Sequence, residues 1–240
     1  MKKIHIALMS LSFVLLVSCK KEAEKPKVIY DSSLRAATAV KTDSTKIEIA
    51  DLPIHIKGTN FLIFPIGDLR VSEKGVKTRY GSSSVGDLSF TISNTAENEI
   101  TGYLQNLKFQ KIGSDSLSVL SDKPILIQTA TYLKSVADKT KSEIFVYTLV
   151  DSDTNRDGKL DTSDIKTLYL SESNGVNFTK IAPDLFELID WNLIEATNRL
   201  YFRTVEDTNK NGQFDKKDVV HYNYVDLAKK EWKVIGYNPI

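Results

Sequence analysis

The stretch IFVYTLVDSDTNRDGKLDTSDIKTLYL, residues 144–170, decides how the chain folds. Residues 144–150 are β-branched, aromatic or aliphatic almost without a break, the composition of a buried strand. Residues 165–170 are again strand-like, with Ile, Thr, Leu and Tyr. Between them, residues 153–164 carry Asp and Asn at fixed spacing around one glycine. So polar a segment continues neither strand, so it reads as a long connection between the two. The pattern returns 54 positions later as LYFRTVEDTNKNGQFDKKDVVHYNYV, residues 200–225.

Both connections place oxygen-bearing side chains at loop positions 1, 3, 5, 9 and 12, glycine at 6 and an apolar residue at 8. The first offers Asp153, Asn155, Asp157, Asp161 and Asp164, with Gly158 and Leu160. The second offers Asp207, Asn209, Asn211, Asp215 and Asp218, with Gly212 and Phe214. Position 7, Lys159 or Gln213, would donate its backbone carbonyl. Calcium takes about six to eight oxygen ligands, and this spacing wraps a short segment around one ion while glycine permits the sharp turn. A polar turn explains one such loop; two at the same spacing favour the ion.

The loops resemble the EF-hand calcium loop and, more closely, its dockerin-like and β-hairpin variants. The resemblance covers all 12 residues of both copies and implies two calcium ions per chain. It departs at position 12, where an EF-hand carries Glu, because Asp164 and Asp218 are one methylene shorter. Weaker binding or a changed coordination number follows. The first loop has four carboxylates and one amide and the second three and two, so the first is expected to bind more tightly. Asp151 and Glu206 are nearby outer charges, either of which can stand in for a primary ligand.

Strands rather than helices flank both loops, which argues against a calmodulin-like opening switch, since that needs a helix pair to reorient. Aligned without gaps, 153–181 matches 207–235, but six of its seven identities fall inside the loop, so the repeat beyond it rests on pattern. Each unit reads as strand, calcium loop, strand, short turn, strand, with 187–194 supplying a further strand before the second. Four strands in about 50 residues resemble a β-propeller blade, and 225–228 followed by 232–235 is similar to the end of a TolB-type blade. Upstream, 46–49, 54–56, 60–66, 87–93, 103–110 and 124–129 are strand-like, 81–86 is a loop and 34–40 a short helix. The fold class expected is all-β, an antiparallel meander of propeller-like blades with calcium loops joining strands. A β-sandwich is the alternative.

The chain opens MKKIHIALMSLSFVLLVSC, two lysines and an apolar run too short to span a bilayer. Leu16-Val17-Ser18-Cys19 resembles a bacterial lipobox, which implies diacylglyceryl attachment at Cys19, cleavage before it and N-acylation. Several acyl chains, at ~0.8 kcal/mol per buried CH₂, anchor durably where one is marginal. Lys20 after the cysteine resembles the outer-membrane sorting pattern of diderm lipoproteins, and the charged residues that follow resemble the surface-export signals of Bacteroidota-type lipoproteins. The expected organisation is a signal peptide at 1–18, a lipidated N-terminus and tether at 19–45, and one β domain at 46–240 with calcium-loop repeats at 144–181 and 199–235.

The formal charge of +1 hides unlike parts. Residues 28–240 hold 26 basic and 29 acidic side chains, seven of the acids within the loops, while the tether is basic. A mildly acidic domain is no nucleic-acid binder. With one cysteine, no intrachain disulfide forms. No G-x-S-x-G, H-E-x-x-H or phosphate-cradling glycine motif appears. His55 reads as a surface position on a strand and His221 as drift between the repeats. Asp190 and Glu195 flank Trp191 in an arrangement that two-carboxylate glycoside hydrolysis would need, although an ordinary core tryptophan beside exposed acids explains it too. The expectation is a membrane-anchored lipoprotein whose calcium-stabilised domain is a non-catalytic binding or structural module outside the cytoplasm. Its partners are the bilayer, through Cys19, and a glycan or protein ligand that the aromatic residues near the loops would stack against. A hydrolase acting on polysaccharide or peptidoglycan and a calcium sensor are the rival readings.

Overall fold

The computed structural model describes residues 28–30, 46–72, 75–77 and 91–240. The signal, Cys19, all of the 19–45 tether except residues 28–30, the 34–40 helix and the 81–86 loop lie outside the described residues, as does most of the 87–93 strand. The chain is all-β, with antiparallel sheets, none of them closed into a barrel.

Among the described residues three sheets form. The first contains β1 (Lys46–Ala50), β2 (Ile54–His55), β3 (Phe61–Ser72), β4 (Gly75–Lys77), β7 (Asn106–Lys111) and β8 (Leu117–Val119). The second runs β12 (Thr179–Lys180), β11 (Thr167–Glu172), β10 (Ile144–Val150), β9 (Leu126–Tyr132), β6 (Glu99–Leu104), β5 (Ser93–Ala96). The third is a four-stranded meander, β13 (Phe186–Ile194), β14 (Arg199–Glu206), β15 (Val219–Asp226) and β16 (Val234–Tyr237). One helix, α1 (Lys134–Thr140), connects β9 to β10.

The sheets stack because β10 is apolar on both faces. Alternation sends Phe145, Tyr147 and Leu149 into a core shared with Ile63, Leu107 and Phe109 of the first sheet. Its other face sends Ile144 and Val146 into a core with Leu200, Phe202 and Val225 of the third, joined by Val136 of α1. The second sheet is thus the middle layer of three, which is why β10 is an unbroken apolar run. The Asp51 carboxylate clamps the first two layers together, accepting from the Ser93 N–H at 2.8 Å and from Ile92 N–H at 3.1 Å. In the turn after β11, Gly175 has φ 80°, and a Cβ there would stand 2.7 Å from the ring of Phe109. The turn therefore needs glycine both for its dihedral and for contact with the first sheet.

Two sequence expectations are corrected. The 103–110 run is two strands in different sheets, because the chain crosses layers at Gln105. The third strand of the first repeat shrinks to two residues, its place taken by Phe178 packing against Tyr169 at 4.5 Å between ring centroids. The helix was unforeseen.

Candidate metal centres

Each polar loop joins two neighbouring strands, β10 to β11 for the first and β14 to β15 for the second. Their backbones agree in detail. Position 4 adopts positive φ in both, 57° at Arg156 and 55° at Lys210, as do Gly158 and Gly212 at position 6, each at 81°. Position 1 accepts two backbone N–H groups. Asp157 and Gly158 donate to Asp153 at 3.1 and 2.8 Å, and Asn211 and Gly212 donate to Asp207 at 3.1 and 2.7 Å.

The correspondence extends round each loop. Position 3 accepts the N–H of position 5, at 2.9 Å from both Asn155 and Asn209. Position 5 accepts that of position 7 at 2.8 Å, from Lys159 to Asp157 and from Gln213 to Asn211. Position 12 closes the ring by accepting the N–H of position 9, from Asp161 to Asp164 at 3.0 Å and from Asp215 to Asp218 at 2.6 Å. Two sequences sharing half their loop residues thus fold to one hydrogen-bond scheme. Each side chain that accepts an N–H is fixed in direction, and an ionised carboxylate retains lone pairs beyond those used.

Burial distinguishes the loops. Asp164 is 1% exposed and Asp207 3%, and among the described residues neither pairs with a cationic side chain. Burial pushes the Asp164 carboxyl above the usual range and the charge of Asp153 adds to this, against three N–H donors from Asp161, Asn155 and Thr154. Two buried carboxylates held by neutral donors alone are unusual, because ionised groups away from water are normally paired or bound to metal.

A hard cation fits this donor set of carboxylate, amide and carbonyl oxygens. Among the described residues no three His, Cys, Asp or Glu side chains converge on one point. That holds for the first loop, with its four carboxylates, as well as for the second, where two of the five side-chain donors are amides. Asp153, Asn155, Asp157, Asp161 and Asp164, with the Lys159 carbonyl, are the groups available to hold an ion in the first loop. Asp207, Asn209, Asn211, Asp215 and Asp218, with the Gln213 carbonyl, are those of the second.

The outer charges are committed elsewhere. Asp151 accepts from the Tyr169 hydroxyl and the Lys180 ammonium, both at 2.8 Å, and from the Ser152 hydroxyl at 3.2 Å. Glu206 lies 2.7 Å from Nε2 of His221. His55 is exposed, its Nε2 3.0 Å from the Thr59 carbonyl. Around Trp191, Asp190 forks onto Arg203, and Glu195 stands 3.8 Å from Lys139. The two acids therefore serve separate partners.

Glu187 governs the exit of the first loop. Its carboxylate accepts the Lys166 N–H at 2.6 Å while the Lys166 ammonium lies 3.3 Å away. Burial holds this carboxyl above its ordinary range despite the attraction of Lys166. A raised folded value favours the protonated form, so the associated stability is full below the ordinary pKa of about 4.3 and is lost as pH rises through the raised value. Glu187→Gln should remove this loss: the melting temperature of the variant minus that of wild type is expected to climb with pH across the acid range, and a flat difference would refute the assignment.

Two further surfaces are open. A cleft of about 690 Å³ lies between Asp122–Lys123 and the group Asp151, Tyr169, Phe178 and Lys180. The outer face of the third sheet gathers Tyr201, Tyr222, Tyr224 and Tyr237, with neighbouring ring centroids 5.4 to 6.2 Å apart and the Arg199 guanidinium 4.5 Å above Tyr224. No family model, curated protein or solved structure matches the chain.

Proposed function

We propose that this chain is a bacterial lipoprotein, anchored through acylated Cys19, whose β domain is stabilised by calcium in both loops and acts as a non-catalytic binding or structural module outside the cytoplasm. The observation that supports it most is the common bonding scheme of the two loops around buried carboxylates that no side-chain cation neutralises among the described residues. Two bound ions would bring the −3 of residues 28–240 to about +1.

Within this reading the loops are structural. Each ties two strands of one sheet, and a sheet has no hinge comparable to a helix pair. Each run of four strands, β9–β12 and β13–β16, is a propeller-like blade, a reading supported by their consecutive strand order and their face-to-face packing. The tyrosine face of the third sheet is the platform offered to a glycan or protein ligand, since aromatic and Arg side chains concentrate binding energy. The anchor places the domain at the outer membrane, on its periplasmic or surface face.

Scattering of the full chain carrying Cys19→Ser tests the structural role. The radius of gyration should agree in calcium and in chelator, whereas a sensor would change shape. Palmitate labelling of the native chain, absent in Cys19→Ser, tests the anchor. The ligand count predicts that Asp207→Ala leaves the tighter site filled and Asp153→Ala leaves only the weaker one, so the residual calcium affinity of the first variant should exceed that of the second. The reverse order would contradict the ranking.

A further inference from the structure

Three residues inside the 19–45 segment expected as a tether, directly after its charged run, lie across both loops. Val28 donates its backbone N–H to the carbonyl of Gly212 at 3.1 Å, and Ile29 donates to the carbonyl of Thr154 at 2.9 Å. Consecutive amides thus reach position 6 of the second loop and position 2 of the first. Val28 is 4% exposed. The Tyr30 side chain lies near the carboxylate of Asp207, position 1 of the second loop. A Cβ on Gly212 would stand 2.4 Å from the Val28 carbonyl oxygen, so the contact admits only glycine there.

We propose that residues 28–30 are a calcium-locked strap, which docks when both loops are ordered, couples the two sites to each other and is released when they empty. The inference rests on the calcium reading above. Its physical basis is that the strap's acceptors belong to the loops and not to a sheet. Seven carboxylates within the two loops repel one another when no cation is present, and loosening either loop moves an acceptor out of reach. Linkage is reciprocal: whatever calcium contributes to strap docking, the docked strap returns as calcium affinity. One segment touching both loops therefore makes the sites cooperative. Cys19 stands nine residues before Val28, and at about 3.3–3.6 Å per residue the docked strap keeps the loop end of the domain within about 30 Å of the acylated residue.

Amide hydrogen exchange on the full chain carrying Cys19→Ser, followed by NMR in calcium and in chelator, reads the strap directly. With calcium at about 100 times Kd, the Val28 and Ile29 amides should exchange about a hundredfold more slowly than in chelator. The variant Val28→Pro with Ile29→Pro removes both donors and should weaken both sites in calorimetry. Tyr30→Phe, a milder change should the prolines disturb folding, should lower affinity at the second loop and speed exchange at Val28. Calcium uptake with unchanged exchange at Val28 and Ile29, or with unchanged affinities in these variants, overturns the strap and leaves the calcium sites standing. Failure to take up calcium at all overturns both.

Discussion

Chelating calcium is expected to lower the melting temperature of this protein by about 10–20 °C. A ligand present at about 100 times Kd contributes about 2.7 kcal/mol per site when it binds only the folded chain, and two sites give about 5 kcal/mol. A chain of this size shifts by about 2–4 °C per kcal/mol. Each loop joins two neighbouring strands of one sheet, so an ion bound there would act on the pairing of those strands. Asp164 carries this expectation: it is buried among neutral donors, the N–H groups of Thr154, Asn155 and Asp161 and the Thr154 hydroxyl, so a bound cation would supply the positive charge they lack. A variant carrying Asp153→Ala and Asp207→Ala should melt at the same temperature with and without calcium. Equal melting of wild type under the two conditions would remove calcium from the account of stability.

Phe145→Ala should cost about 3–5 kcal/mol, the range for truncating a buried aromatic residue, which is about 6–20 °C in melting temperature. Phe145 has no exposed surface and lies on β10, an interior strand of the six-stranded middle sheet. Its ring stands 5.4 Å from that of Tyr132 and 5.9 Å from that of Tyr147, between the first and second sheets. The cavity would open where two layers meet, with β10 held on both faces and unable to collapse into it. Leu52→Ala is the control, since Leu52 is 86% exposed and its loss should stay within about 0.5 kcal/mol. Urea melts of both variants measure the contrast, and a loss below about 1 kcal/mol at Phe145 would refute the stacking of the layers.

What could be read from the chain beforehand was what local chemistry dictates. Residues 144–150 match β10 residue for residue, and 187–194 and 219–225 fall within one residue of β13 and β15, because apolar strands bounded by Asp, Asn and Gly carry their own limits. The loop positions could be read for the same reason, since an Asx side chain bonds the backbone two residues on whatever lies elsewhere. Three features could not. Gln105 sits within one continuous alternation, and nothing near it marks the passage from the second sheet to the first; only packing with Ile63 and Ile127 decides that. The helix KSVADKT buries one residue, Val136, has no side-chain N-cap and stops at Lys141 with φ 64°, so it lacks both periodicity and a start signal. The strap is three residues long, and its only trace is the apolar run Val28-Ile29-Tyr30 directly after a charged segment.

The outer charges teach a related lesson. Asp151 stands close to the first loop in sequence, but Tyr169 and Lys180, from the two strands that follow the loop, donate to its Oδ2 and Ser152 to its Oδ1. Proximity along the chain predicts partners inside a turn and fails across a sheet.

Calorimetric titration of calcium into the full chain carrying Cys19→Ser is the most direct test of the central claim. Two ions should bind per chain, the tighter at the first loop, with affinities in the range of about 10⁻⁴ to 10⁻³ M typical of extracellular modules. Absence of heat or uptake at millimolar calcium would contradict it.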